Sequence, residues 1–322
     1  MNGTAVRVDA HVCLGICTYQ RPQMLRSCLQ SVDKMLVPPR CRLTVIVVDN
    51  EAERAEEDLV RDYGARLEGH TYLYVHEPRR GISHARNAIL RTAINRHADW
   101  IAMIDDDQLV PIDWLGAMWR SQIATEADVI RSSVDFLYPD LPSKWALPRK
   151  KKHRWKEVEH AATNGVLFDA ALVNGSKMRL RFDEAYNLTG GEDRDFFNRA
   201  WRAGARIVCT PDAVITEIMP ETKLSFSAQL WRSFWIELGK VRHDRRFYGF
   251  IKTMFFKSLK LVDSLLKGVV QFVLALLIGI INRRRGRERL LSSMEQFAKC
   301  AGIFVGLLGI WTPEPYRNIH GG

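Results

Sequence analysis

Hydrophobic and polar positions alternate between two rhythms along the first hundred residues. His11–Thr18 is a continuous apolar run, the pattern of a buried strand. Pro22–Val37 follows, with Leu25, Leu29, Val32 and Leu36 at helical spacing. Leu43–Val48 is a second apolar run, β-branched and suited to burial on both faces, and Glu51–Tyr63 is a charged helical pattern. Tyr72–Val75 predicts a third strand, Ser83–His97 a helix, and Trp100–Ile104 a fourth strand. This β-α-β-α-β-α-β order predicts an α/β domain, a parallel sheet with helices on both faces. Ligands of such sheets bind at the carboxyl ends of the strands.

Beyond residue 125 the rhythm is less regular. Val129–Phe136 and Val166–Phe168 predict strands, and Glu192–Ala203 a helix stopped by Gly204. Between them, Lys144–Lys156 is a proline-containing basic loop, either plainly solvated or touching headgroups or a pyrophosphate. From about residue 224 apolar and aromatic stretches are separated by basic clusters, so the expected division is residues 1–223 and 224–322. Phe226, Leu230, Trp231, Phe234, Trp235, Leu238 and Val241 form an apolar stripe accompanied by Arg232, Lys240, Arg242, Arg245 and Arg246. That pattern suits a membrane surface, and equally a helix packed on the first domain. Two more apolar runs follow, Gly268–Ile281 and Ala301–Trp311. Both fall short of the roughly 18–20 residues of a spanning helix, although the first reaches that length with Leu261–Leu266. Arg283, Arg284, Arg285, Arg287 and Arg289 lie between them. Spanning by the first run would put this cluster outside, against the positive-inside bias. The expected arrangement is therefore peripheral or re-entrant, with the arginines at an anionic membrane surface on the cytoplasmic face.

Composition narrows the classes. At 322 residues, 47% hydrophobic and 26% charged, the chain is a folded protein and not a disordered one. Its net charge of +10 attracts phosphates, nucleic acid or anionic membranes without choosing among them. The basic residues sit beside apolar runs and not on a soluble face, so no nucleic-acid partner is expected. None of the six cysteines forms a CxxC pair, which leaves zinc unsupported and predicts buried free thiols. The run Val12–Cys17, preceded by Arg7 and Asp9, is too short for a signal peptide, so the first domain is expected to stay in the cytoplasm. Neither GxGxxG after the first strand nor GxxxxGK[ST] occurs, so the dinucleotide and P-loop phosphate cradles are both missing.

Candidate chemistry gathers at the strand ends. Thr18, Tyr19 and Arg21 follow the first strand, Asp49 the second, and Asp105, Asp106 and Asp107 the fourth. On an extended chain Asp105 and Asp107 point one way and Asp106 the other. Two carboxylates at the mouth of a sheet suit Mg2+ or Mn2+, which would neutralise a departing diphosphate. The competing reading is a solvated acidic turn before the helix opened by Pro111, Asp113 and Trp114. Farther on, Gly190-Gly191-Glu192-Asp193 opens a helix. Asp193 shares a stripe with Phe197 and Ala200, while Glu192, Asp195 and Arg199 lie elsewhere on its surface. An acid there is also ordinary dipole stabilisation, but the diglycine permits close approach of a ligand. A metal-held diphosphate with one separate carboxylate base fits glycosyl transfer with inversion.

Five segments in this order resemble family-2 glycosyltransferases, over about residues 10–220. They are Ile16-Cys17-Thr18-Tyr19-Gln20-Arg21-Pro22, Val47-Val48-Asp49-Asn50, Gly81 through Ala85-Arg86-Asn87, Ile104-Asp105-Asp106-Asp107, and Phe182-Asp183-Glu184 through Gly190-Gly191-Glu192-Asp193-Arg194-Asp195. The resemblance implies the GT-A nucleotide-sugar-binding fold, an α/β/α sandwich, here with a helical membrane-associating region after it. It implies a nucleotide-sugar donor, UDP-linked, with Thr18, Tyr19 and Arg21 lining the nucleotide pocket and Asp49 accepting the uracil N–H. Arg86 and Asn87 would lie near ribose and diphosphate, Asp105 near ribose or metal, and Asp107 on the metal. Asp193 would be the catalytic base and Glu192 would shape the acceptor site. Many relatives complete the metal site with a His after a Pro-Asp-Ala segment. Here the run is Pro211-Asp212-Ala213-Val214-Ile215-Thr216-Glu217, and Glu217 stands nearest that position. With Pro220 after it, this run is similar to bacterial exopolysaccharide glycosyltransferases of the ExoM type. The implied acceptor is a hydroxyl of a polymeric glycan or lipid-linked oligosaccharide. The alternatives are transfer to polyprenyl phosphate, or a non-catalytic nucleotide-sugar-binding subunit of a membrane assembly.

Overall fold

A computed structural model describes residues 10–66, 70–137, 155–219 and 225–309. Most of the basic loop, the boundary expected at 223 and Trp311 at the end of the last apolar run lie outside the described residues. The described residues form two compact units, one within 10–219 and one within 225–309.

The first unit opens with β1 (Ala10–Thr18), α1 (Pro22–Asp33), β2 (Cys41–Asp49), α2 (Glu57–Arg66), β3 (Thr71–His76), α3 (Ile82–Asn95) and β4 (Trp100–Asp105). It continues with β5 (Gln108–Leu109), α4 (Trp114–Thr125), β6 (Val129–Leu137), β7 (Lys156–Glu157), β8 (Val166–Asp169), α5 (Ala171–Asn174), α6 (Glu192–Arg202) and β9 (Ile207–Ile218). The strands make one mixed sheet in the order β3-β2-β1-β4-β8-β6-β9-β5, with β7 also on β9. The parallel arrangement expected from the alternating pattern covers β3-β2-β1-β4. Past β4 it gives way, because β8 runs antiparallel to both β4 and β6.

Side-chain alternation divides the core. Val45 and Val47 face one layer, with Leu14, Ile16 and Leu29, while Ile46 and Val48 face the other, with Ile89, Phe168 and Phe196. Each of these is fully buried, a gain of roughly 1.5–3 kcal/mol per side chain. Two boundaries differ from expectation for identifiable reasons. The second helix begins at Glu57, not Glu51, because the Asp49 carboxylate accepts the N–H groups of Glu51 and Glu56 and holds the intervening residues as a loop. The first helix ends at Asp33, shortly before Pro38 and Pro39, whose rings disfavour helical conformation in the preceding residue.

The second unit is three helices, α7 (Phe226–Tyr248), α8 (Phe250–Ile281) and α9 (Arg283–Leu308). α9 folds back along α8. Gly286 meets Gly279, Ser293 donates to the Gly268 carbonyl at 2.8 Å, and Cys300 lies against the Leu261 carbonyl. The buried positions of α8 are Thr253, Lys257, Ser264, Gly268 and Ala275, small or polar. Its large apolar residues, among them Phe255, Phe256, Leu265, Leu276 and Ile280, are exposed. Water-soluble helices have the opposite polarity. Among the described residues, α8 is the one helix long and apolar enough to cross a membrane.

Candidate active site

The carboxyl ends of β1, β2 and β4 lie side by side, since Thr18 registers with Asp49 and Cys17 with Asp105. β4 stops at Asp105 and residues 106–107 turn toward β5. The strand alternation expected of the three aspartates therefore ends at Asp105. Arg21 reaches both Asp106 (3.3 Å) and Asp107 (3.7 Å), and the Thr18 hydroxyl donates to Asp106 at 3.0 Å. Asp105 instead faces Arg86, 3.5 Å away. Its N–H is held by Oε1 of fully buried Gln108 at 3.0 Å. The acidic turn is thus pinned and largely buried, not solvated: Asp106 and Asp107 are 4% and 7% exposed.

Arg86 extends the site to a distant segment. From the buried face of α3 its guanidinium donates to Glu192, at the first turn of α6. Glu192 is 2% exposed and its second oxygen has no hydrogen-bond partner among the described residues. Asp193 lies near enough to raise the proton affinity of Asp105. Four carboxylates thus share two guanidiniums, Asp106 and Asp107 on Arg21 and Asp105 and Glu192 on Arg86, with Asp193 close to Asp105. Burial, together with neighbouring carboxylates, pushes Asp105 up to about 6 and Asp106 up to about 7. The same burial drives the Cys17 thiol beside them up to about 12, so it is an inert thiol.

The stripe expected on α6 is shifted. Glu192 and Asp195 are its buried acids, whereas Asp193 is half-buried, its carboxylate accepting the Arg194 N–H at 2.6 Å. The reason is the Phe196–Phe197 pair, which packs on Phe168 and Phe182 and turns that face inward. Asp195 is then neutralised by Arg199 at 2.8 Å. Gly190 and Gly191 both adopt left-handed φ, 71° and 93°, so the diglycine serves first to turn the chain into α6.

Four other expected residues have contacts within the chain. Asp49 is fully buried and accepts from Tyr74, Glu51 and Glu56, so its carboxylate is engaged by the chain itself. Asn87 uses both ends of its amide on the Phe182 backbone, stapling α3 to the segment before α6. Tyr19 sits half-exposed beneath Arg80, whose guanidinium is 5.0 Å from the ring centroid. Glu217, half-buried on β9, registers opposite Gln108, and the next N–H, of Ile218, donates to the Asp107 carbonyl at 3.0 Å. Among the described residues no three His, Cys, Asp or Glu side chains are close enough to form a metal cage by themselves.

Asn50 and Gly81 lie within the motif segments without an individual role there, and His160 carries no sequence signal. Asn50 donates to the carbonyls of Glu77 and Arg79 and accepts the Gly81 N–H at 2.8 Å, which shapes the turn into α3. Gly81, at φ 141°, packs so closely on Asn187 that a Cβ would collide with it. His160 lies within electrostatic reach of Asp193, Arg194 and Arg131, and burial lowers its proton affinity.

Residues 13–188 match the family described as glycosyl transferase family 2. The succinoglycan biosynthesis protein ExoM of Rhizobium meliloti (strain 1021) is 35% identical over 235 residues, 70% of this chain and 72% of that protein. Among solved structures, a 1–349 fragment of S. aureus TarS with UDP-GlcNAc superposes with a TM-score of 0.52 at 14% identity, over 88% of this chain and 89% of the fragment. GalNAc-T7, solved with UDP, GalNAc and Mn2+, gives 0.52 at 13% identity, over 65% of this chain and 44% of that one. The chain spans only 39% of the longer TarS chain. These structures share the GT-A fold with the first unit.

Proposed function

The chain belongs to glycosyl transferase family 2, and from that premise we propose that it moves a hexose from a UDP-linked donor, with inversion, to a hydroxyl of a lipid-linked or polymeric glycan in exopolysaccharide synthesis. The observation that carries this reading is the Arg86 bridge from Asp105 to Glu192. It joins a strand-end acidic turn and a separate helical acid into one corner, as transfer from a diphosphate to a hydroxyl requires.

Thr18, Tyr19 and Arg21 border the nucleotide, with Asp49 and Asn87 holding the surrounding loops. Asp107 and Asp105 would hold Mg2+ or Mn2+. Glu217 is the candidate third ligand, since its register partner Gln108 follows Asp107 in sequence. The donor set fits such an ion: hard carboxylates in excess over cationic partners, too few for a closed cage. Mg2+ commonly binds one or two carboxylates and completes its shell with substrate phosphates and water. When bound, the ion supplies charge neutralisation for the departing diphosphate.

Asp193 takes the proton from the acceptor hydroxyl as the oxygen attacks, and its partial exposure leaves it open to an acceptor. Glu192, buried against Arg86, shapes the acceptor side by fixing the start of α6. The helical unit lies on the cytoplasmic leaflet of the inner membrane. Two observations support this: the outward-facing apolar side of α8, and 16 Lys and Arg against 7 Asp and Glu in residues 220–314. Because α9 runs back beside α8, burying residues 268–281 across the bilayer would carry Arg283–Arg289 into hydrocarbon. An in-plane or dipping position avoids that cost.

The test is a screen of nucleotide sugars against the purified full chain, with glycan and lipid-linked acceptors. Metal-dependent release of UDP with an inverted product is expected. Failure of every nucleotide sugar to bind would refute the donor assignment, and a retained anomeric configuration would refute the role of Asp193.

A further inference from the structure

Four non-glycine residues among those described hold left-handed φ, a conformation uncommon outside glycine. Three have ordinary reasons. His97 and Glu126 stand just past α3 and α4, where a left-handed residue commonly stops a helix, and Arg40 lies in the turn before β2. Gln20, at φ 53°, stands instead in the connection from β1 into α1 and stops no helix. Strain of this kind persists only where the surroundings impose it, and it clusters at functional sites.

The imposing group is Glu51, whose carboxylate accepts the Gln20 N–H at 2.8 Å. Glu51 is itself fixed at both ends of its backbone. Its N–H donates to Asp49 at 3.1 Å, and its carbonyl lies 3.0 Å from Nε2 of His76. The ends of β2 and β3 thus present one carboxylate to the β1–α1 connection, 31 residues away in sequence. Gln20 separates two residues that border the proposed nucleotide site. Tyr19 lies beneath the Arg80 guanidinium, 5.0 Å from the ring centroid, and Arg21 is held by Asp106 and Asp107. The chain turns about only two soft dihedrals per residue, so the φ of Gln20 sets how Tyr19 and Arg21 are aimed relative to one another.

We propose that Glu51 is a positioning residue for the nucleotide: it latches Gln20 in the left-handed conformation and so holds Tyr19 at the nucleotide while Arg21 stays on the acidic turn. Glu51 acts through the backbone and not on the ligand. A carboxylate accepting an N–H makes a charge-assisted bond, strong enough to offset one strained residue. The purpose of the latch rests on the donor assignment above, whereas the latch itself rests on the Glu51–Gln20 bond.

The experiment is calorimetric titration of the full chain with UDP in the presence of Mn2+, paired with hydrogen–deuterium exchange at the Gln20 amide. Glu51→Ala should raise the Kd for UDP about tenfold, the loss expected of one charge-assisted hydrogen bond. Adding Gln20→Gly to Glu51→Ala should bring the Kd back to within about threefold of wild type, because glycine holds left-handed φ unaided. Glu51→Gln keeps an acceptor oxygen at the same reach and should bind like wild type. An unchanged Kd in Glu51→Ala overturns the proposal. So does a raised Kd that Gln20→Gly leaves unrescued, which would put the carboxylate on the ligand itself. Exchange at Gln20 should quicken at least about tenfold in Glu51→Ala and stay slow in Glu51→Gln. Exchange indifferent to Glu51→Ala overturns the latch on its own. Failure of wild type to bind UDP refutes the donor assignment instead, and the exchange result then decides the latch without it.

Discussion

Arg86 and Glu192 form a buried ion pair across 106 residues of sequence, joining α3 to the first turn of α6. Each is under a tenth exposed. A pair of this kind gives little net stability when intact, but removal of one partner strands a buried charge.

Glu192→Ala should therefore lower the unfolding free energy by about 3 kcal/mol, measured by urea denaturation. Asp195, the neighbouring buried acid, has its own partner in Arg199 and does not substitute for it. A loss under about 1 kcal/mol would show that the pair is water-exposed in solution.

Asp193→Asn should reduce transfer to a hydroxyl acceptor by about 10²–10⁴ in kcat while UDP-sugar binding stays within about twofold. Half-exposed Asp193 supports no core packing, so Tm should not move. Undiminished transfer would instead favour an acceptor that is already anionic, such as polyprenyl phosphate.

Chelation should abolish transfer, and Mg2+ or Mn2+ should restore it. Asp107→Asn should raise the metal concentration needed at least ~10-fold, read from activity against free Mn2+. Glu217→Gln should do the same to a lesser degree if that carboxylate completes the shell. No change in metal requirement for Glu217→Gln would remove it from the set.

Glu77 carries a pH prediction outside the acidic corner. The Arg79 hydrogen bond, then Arg91, holds its carboxyl down at about 2 against burial, which acts the other way. Its folded value lies below the unfolded value of about 4.3. The stabilisation is therefore complete above about pH 4.3 and is lost as pH falls through about 2. Both arginines are half exposed, which screens the pair. Glu77→Gln should cost about 1 kcal/mol at pH 7, and the gap from wild type should close below pH 3 in acid-denaturation curves.

A cysteine at Arg284 reports the disposition of the hairpin. In membrane vesicles it should react with an impermeant maleimide from the side that bears residues 10–219. Labelling from the opposite side only would mean that α8 crosses the bilayer.

Apolar periodicity alone determined the first four strands, their intervening helices and the strand-end location of Asp49 and Asp105–Asp107. Those features are local: strand alternation and helix spacing repeat within a few residues. The five motif segments likewise named the family, which the relatives confirm. Three things were decided only by the tertiary structure. The Arg86–Glu192 pair joins residues that no periodicity relates, and it exists because β4, α3 and α6 end at one corner. The buried face of α6 follows Phe196 and Phe197 packing on Phe168 and Phe182, which overrides the stripe drawn through Asp193. The polarity of α8 was hidden because composition counts apolar residues without saying which way they face. Its small and polar stripe closes on α9 through Gly279 and Gly286, and that contact turns the large side chains outward. Long-range contacts, not local pattern, choose which face of a helix is buried.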